Sequence, residues 1–511
     1  MAAHTQTDEQ DLGPTERNQV GGLQEIFIRL GGEDMKALDE AVKTVEDLGG
    51  RVIHAYAPSF LVASLPPNAV PKLADYAGIT SVHTGSIRTS GADHALALAA
   101  GAWNRHISPQ HRLSALANPH TGKRWDEPGY LPPNPPHIRE QFREQEAELR
   151  RLRMTDSPEL AGAPPNLGIP VLTGRVGVGV VWVDSTVNTF QITNQEKSKT
   201  LSETTSGLSF LSGLEPRAQI QWFYDFKRPK ISLNANQFTS ANQNQWEDLW
   251  RNAALSAMGY TGDLAGLNKY INDVKTQQNA QWAYAIFITK YPKTWFAYTW
   301  GNHVVMDFTV DGWGIDNFHI VVAHETGHIF GCPDEYSSSG CNCTSLFGRY
   351  QIPNSNCESC ATHFVPCLMS HNTAAVCDYT RGHLGWNEVA VQSQGETTLK
   401  GTWTFDMDVG VQGPPAGSDI WWEQVDNVTR FLVPQHGATL AHMGQPNFDA
   451  VSIETLKAQS YTANLINGSN NASNKLTPGS VIAVKTDGGR YAKLRINSYG
   501  YNLGIDWVTY A

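Results

Sequence analysis

A chain of 511 residues, 41% hydrophobic and 17% charged, is too long for one compact core and apolar enough to fold, so several domains of roughly 150 residues are expected. The formal charge of −11 gives no attraction to phosphate backbones or anionic lipid heads and argues against nucleic acid as a partner. The longest apolar runs, RVGVGVVWV and WAYAIFITKY, are strand-sized and fall short of the roughly 20 residues a membrane span needs; the amino terminus lacks the cationic start and apolar stretch of a Sec-type signal peptide.

Residues 1–90 are expected to hold a small α/β unit. QEIFIRL and RVIHAYAPSFLVASL alternate like strands, DMKALDEAVKTVEDLGG is amphipathic and ends in glycines, and NAVPKLADYAGITSVHTG adds a second helix and strand. The order β-α-β-β-α-β is that of a ferredoxin-like unit. With its GGRV and LPPNAVPKLADYAGITSV stretches, the unit resembles the propeptide or inhibitor modules of subtilisin-type proteases, which implies a removable prodomain and a zymogen. Residues 91–170 read as a linker: YLPPNPPHI and LAGAPPNLGIP are proline-rich spacers around a charged helix, REQFREQEAELRRLRM, most simply a solvated face.

Residues 171–390 carry the pattern of a catalytic α/β domain. Strands are expected at RVGVGVVWVDST, AQIQWFYDF and WAYAIFITKY, with helices between them, and TWFAYTWGNHVVMDF reads as an edge strand and its return. Residues 391–511 shift to short strands with turn signals, a β-rich accessory domain. Its Trp421, Trp422 and Tyr501 suit a sheet core better than a ligand surface.

The chemistry concentrates in VVAHETGHIFGCPDEY, residues 321–336, on a helix expected to run from near Asp316 to Gly331. Residues four apart share a helix face, so the imidazoles of His324 and His328 can meet one cation, while Glu325 can reach a water there without ligating. Gly331 in a left-handed conformation would end the helix and turn the chain back, and Pro333 would keep it from resuming. Asp334 then becomes the third ligand of a two-histidine, one-carboxylate site with its fourth position left for water. Glu335, its neighbour, is the competing carboxylate, and the spacing favours Asp334.

HETGHIFGCPD resembles the extended motif of the metzincin zinc peptidases, in the variant with aspartate in third place, and VPCLMSHN puts Met369 where that family carries a methionine-containing turn beneath the metal. The resemblance covers about 170–390. It implies one catalytic Zn2+ on His324, His328 and Asp334, Glu325 as general base, and a protein or peptide substrate held along an edge strand within 295–303. Several metzincins carry a tyrosine two residues after the methionine; here that position is His371, so oxyanion stabilisation is open between His371 and Tyr379. No cysteine precedes Cys332, so latency would need a linker carboxylate such as Asp126, or steric cover.

All seven cysteines lie between Cys332 and Cys377. Such a cluster is read as disulfides and a secreted protein, although no Sec signal accompanies it; the other reading makes Cys341, Cys343, Cys357 and Cys360 ligands of a second, structural zinc. The expected function is a zinc-dependent endopeptidase. The alternatives are an adhesin or carbohydrate-binding protein with a vestigial zinc domain, and a zinc hydrolase of a non-peptide amide.

Overall fold

In the computed structural model, the described residues are 19–20, 22–32, 34–88, 94–108, 118–142, 169–361, 364–386, 391–413, 417–446, 448, 451 and 453–510. They form two compact units, Met1–Trp386 and Asn387–Ala511. The first is mixed α/β on one large mixed sheet; the second is β-rich.

The middle of the large sheet is parallel, in the order Gln221–Lys227, Arg175–Ser185, Trp282–Thr289, His303–Asp307, and Ala297–Trp300 closes this side as an antiparallel edge. Strand Arg175–Ser185 is buried along nearly its whole length, which is why its sequence is a continuous apolar run: a parallel strand covered on both faces has no solvent side to mark. Helix Asn194–Leu214 starts with a capping box, the Thr193 hydroxyl accepting from Glu196 N and the Glu196 carboxylate from Thr193 N, so two amides of the first turn are satisfied locally.

The amino-terminal strands Leu23–Leu30, Arg51–Tyr56, Phe60–Leu65 and Ile79–His83 pair in the ferredoxin-like order, the first strand lying between the third and fourth. They do not stand apart, however. Arg51–Tyr56 pairs in parallel with Gln221–Lys227, so the two sheets are one. His54 sits at that seam, its ring nitrogens bonded to the Tyr224 hydroxyl at 2.8 Å and the Ser209 hydroxyl at 2.6 Å.

The stretch expected to be linker is, where described, part of the body. Trp125 is fully buried, and Ile138 and Phe142 enter the core between the sheet and helices Trp246–Ala257 and Leu264–Gln277, with Phe142 stacked on Trp300 at 4.9 Å. Proline-rich spacing hid this, because the segment is fastened through its carbonyls: Leu131, Pro132 and Pro133 accept from Trp313, Trp295 and Tyr336. Most of the charged helix, 143–154, lies outside the described residues.

Beneath the edge strand, Glu247 is buried among Arg251, His303, Tyr298 and Trp300. Burial raises its pKa, but the charges of Arg251 and His303 and the surrounding donors prevail and bring it down to about 2. His54 is also depressed, to about 3, by burial and the nearby His106 and Arg51 charges. Both shifts act in one direction. The unfolded chain takes up the His54 proton from pH 6.5 downward and the Glu247 proton from 4.5 downward, while the folded chain resists until about 3 and about 2. His54 stabilisation is therefore complete above pH 6.5 and lost as pH falls toward 3, a loss on the order of 5 kcal/mol. The thermal midpoint of the first unit, followed by circular dichroism, is expected to fall steadily from pH 6.5 downward and more steeply below 4.5; a flat midpoint across that range would contradict this.

The carboxy-terminal unit holds two five-stranded antiparallel sheets, Val391–Leu399 with 503–510, 491–498, 481–485 and 439–442, and Val411–Gln412 with 404–406, 420–424, 430–434 and 466–467. They share a core of Leu399, Phe405, Trp422, Leu432, Leu494 and Ile505. Trp422 is thus a core residue as expected and bonds Tyr501 O, whereas the Tyr501 side chain is exposed and Trp421 half-buried.

Candidate metal centre

The motif helix runs Phe318–Ile329, and all but His319 and His328 of its residues are buried, which explains why it shows no amphipathic stripe. It stops at Gly331, whose φ is +86°. Gly331 N donates to His328 O and Cys332 N to Gly327 O, the paired bonds by which a left-handed residue satisfies the last carbonyls of a helix. A Cβ at Gly331 would also meet Ile169 and Gly348 at 2.9 and 3.0 Å, so glycine is required twice over. The reversal brings Asp334 back beneath the last turn.

There the Nε2 atoms of His324 and His328 lie 3.1 Å apart, and Asp334 Oδ1 lies 3.2 and 3.3 Å from them. His324 Nδ1 donates to Leu368 O at 3.0 Å and His328 Nδ1 to Cys332 O at 2.8 Å. A carbonyl can only accept, so each Nδ1 carries the proton and each Nε2 presents its lone pair to the same point. Asp334 Oδ1 is buried with no hydrogen-bond donor among the described residues. Two lone pairs and an orphaned carboxylate oxygen converging in this way fit a cation. Ligands at ~2.0–2.1 Å in tetrahedral arrangement would stand ~3.3 Å apart, close to the spacing found. His324, His328 and Asp334 are thus residues that could hold a metal ion.

Asp334 Oδ2 accepts from Arg139 Nη1 at 2.8 Å, and Arg139 also donates to Ser339 O. Burial would raise the Asp334 pKa, but the positive charge beside it, with the Arg139 guanidinium on Oδ2, holds it well below the usual carboxylate range, so it stays an anion. Arg139 thereby commits one oxygen and leaves the other to the cation. Arg139→Ala is expected to weaken metal retention by roughly 10–100-fold, as outer-shell changes do, measured by competition with a chromogenic chelator. Unchanged retention would remove Arg139 from the centre.

Glu325 is fully buried, with the Thr299 hydroxyl 2.6 Å from its Oε2 and 3.0 Å from its backbone carbonyl. Its Oε1 has no hydrogen-bond partner among the described residues. Burial, only partly opposed by the Thr299 hydroxyl, pushes its pKa up to about 7. Beneath the triad, Met369 Sδ lies 3.0 Å from where a Gly327 side chain would begin, so the methionine packs against the helix only because residue 327 is glycine. Trp125 stands edge-on to His324 at 5.2 Å and donates to the same Leu368 carbonyl.

Glu335 is buried but faces away, with Oε2 on Asn356 and Oε1 on Thr380 and Cys377. His371 bonds Ser370 and its main chain bridges Arg124, and Tyr379 is half-buried on helix Asp378–His383. Asp126 is held by Ser338 N and Arg124. Cys341–Cys357 and Cys343–Cys360 are disulfides, which sets aside a four-thiolate zinc at those residues, and Cys332, Cys367 and Cys377 are reduced. Among the described residues no helix is long and apolar enough to cross a membrane.

Sequence reasoning missed Arg139, Thr299 and Trp125. Arg139 was hidden in a charged helix, and nothing in FAYTW sets Thr299 apart. No protein-family model matches the chain, and no curated protein does either.

Proposed function

We propose that the chain is a zinc-dependent endopeptidase of metzincin type. One observation carries this reading: a preformed His324, His328, Asp334 triad with the unpartnered oxygen of Glu325 beside it in a buried site. A purely structural metal has no use for a buried carboxylate whose free oxygen remains unsatisfied, since such a group costs about 1–3 kcal/mol or more. That expense disfavours a vestigial domain.

Zinc on this triad would act as a Lewis acid toward a water and the scissile carbonyl. Glu325, with Thr299 fixing its other oxygen, accepts the water proton at Oε1 and passes it to the departing amine. Arg139 keeps Asp334 anionic and fixed. An extended substrate would run along Ala297–Trp300 by displacing Asn134 N, which now donates to the Ala297 carbonyl. The amino-terminal unit joined to the same sheet is compatible with a prodomain, and the two disulfides suit secretion.

Digestion of casein and of a set of acylated non-peptide amides, with and without phenanthroline, tests the reading. Internal peptide-bond cleavage that stops on chelation is expected. Turnover of the amides alone would instead make the chain a different zinc hydrolase.

A further inference from the structure

Three cysteines remain reduced, and two of them touch. The Cys367 and Cys377 sulfurs both bond the Thr380 hydroxyl, at 3.2 and 3.4 Å, and lie within 4.8 Å of each other and of the Glu335 carboxylate. Cys332 is the third member of the neighbourhood, its sulfur 3.9 Å from Thr380 O, but it is not part of the group that places the other two sulfurs beside Glu335. Both sulfurs of the touching pair accept from backbone amides, Cys367 from Cys377 N at 3.3 Å and Cys377 from Thr380 N at 3.4 Å. Burial beside Cys367 and Glu335 pushes the Cys377 thiol up, so attack on a disulfide takes place while the chain folds, before the pair is enclosed.

We infer that Cys367 and Cys377 are an oxidisable pair that forms a third disulfide, closing the loop that floors the metal centre. The residues are ten positions apart, and the segment between them supplies Leu368 O to His324 and Trp125, Met369 to the underside of Gly327, and Met369 O to Glu335 N. The chain already holds Cys341–Cys357 and Cys343–Cys360, so the surroundings in which it folds oxidise thiols. The reaction balances with a small-molecule disulfide of the glutathione kind. One cysteine thiolate attacks it and expels one small thiol, the other then attacks the mixed disulfide and expels the second, and the two thiol protons end on the released thiols.

The same three groups, Glu335, Cys367 and Cys377, could instead hold a soft metal. The charges disfavour this: two thiolates and a carboxylate would exceed a divalent ion by one negative charge, with only neutral Asn356 and Thr380 side chains bonded to them. Glu335 also keeps donors on both oxygens, Asn356 and Thr380, after the Cys377 S–H is lost.

The full chain, folded in a glutathione redox buffer, is to be denatured without reductant, alkylated with iodoacetamide and peptide-mapped by mass spectrometry. The expected result is a fall from three alkylated cysteines to one, Cys332, with a Cys367–Cys377 cross-linked peptide. Alkylation of both Cys367 and Cys377, with or without bound metal in the native chain, would overturn the inference. So would a cross-link from Cys332 to either of them. The Cys332→Ser variant, mapped in the same way, must keep the Cys367–Cys377 link. None of these readouts depends on peptidase activity.

Discussion

Glu325→Gln is expected to cut peptide hydrolysis by roughly 10²–10⁴-fold, the range spanned by positioned general bases, while leaving the metal content unchanged. Glutamine keeps the shape of the side chain and can still meet the Thr299 hydroxyl, but it offers no oxygen basic enough to take a proton. It also replaces a fully buried carboxylate that burial already pushes toward neutrality, so the variant should fold at least as stably as the parent. Lost activity could not then be put down to unfolding. Undiminished cleavage by a folded, metal-loaded variant would end the assignment of Glu325 as base.

The second large effect separates two adjacent carboxylates. Asp334→Ala is expected to lose zinc by more than the roughly 10–100-fold typical of outer-shell changes, because it removes an oxygen 3.2–3.3 Å from both Nε2 atoms. It also strands the Arg139 guanidinium. Glu335→Gln, at a residue equally buried but bonded to Asn356, Thr380 and Cys377, is expected to keep zinc. Metal analysis of the two purified variants decides; the reverse pattern would make Glu335 the ligand.

Much of this centre was legible because each step of HETGHIFGCPD has a local cause. Helical spacing aligns His324 with His328, glycine alone turns the chain at Gly331, and Asp334 follows at the reach that turn allows. Edge strand Ala297–Trp300 and its return were legible for the same reason, being short-range patterns. What stayed hidden is long-range. Arg139 reaches Asp334 across 195 positions, and Trp125 shares the Leu368 carbonyl with His324 across 243. Neither pairing leaves a period or a spacing to read. The linker reading failed likewise, since a proline-rich stretch looks the same in solvent as it does pinned by Trp295, Trp313 and Tyr336. The amino-terminal unit showed its own strand order in sequence, but the pairing of Arg51–Tyr56 with Gln221–Lys227 joins segments with no shared local signal.

The most direct measurement is a titration of the metal-stripped chain with zinc while cleavage of a quenched fluorescent peptide is followed. Activity is expected to rise linearly and saturate at one zinc per chain, with the Glu325→Gln variant binding the same single equivalent and remaining inactive. Cleavage that is already full without zinc, or absent when one equivalent is bound, would contradict a zinc peptidase built on His324, His328 and Asp334.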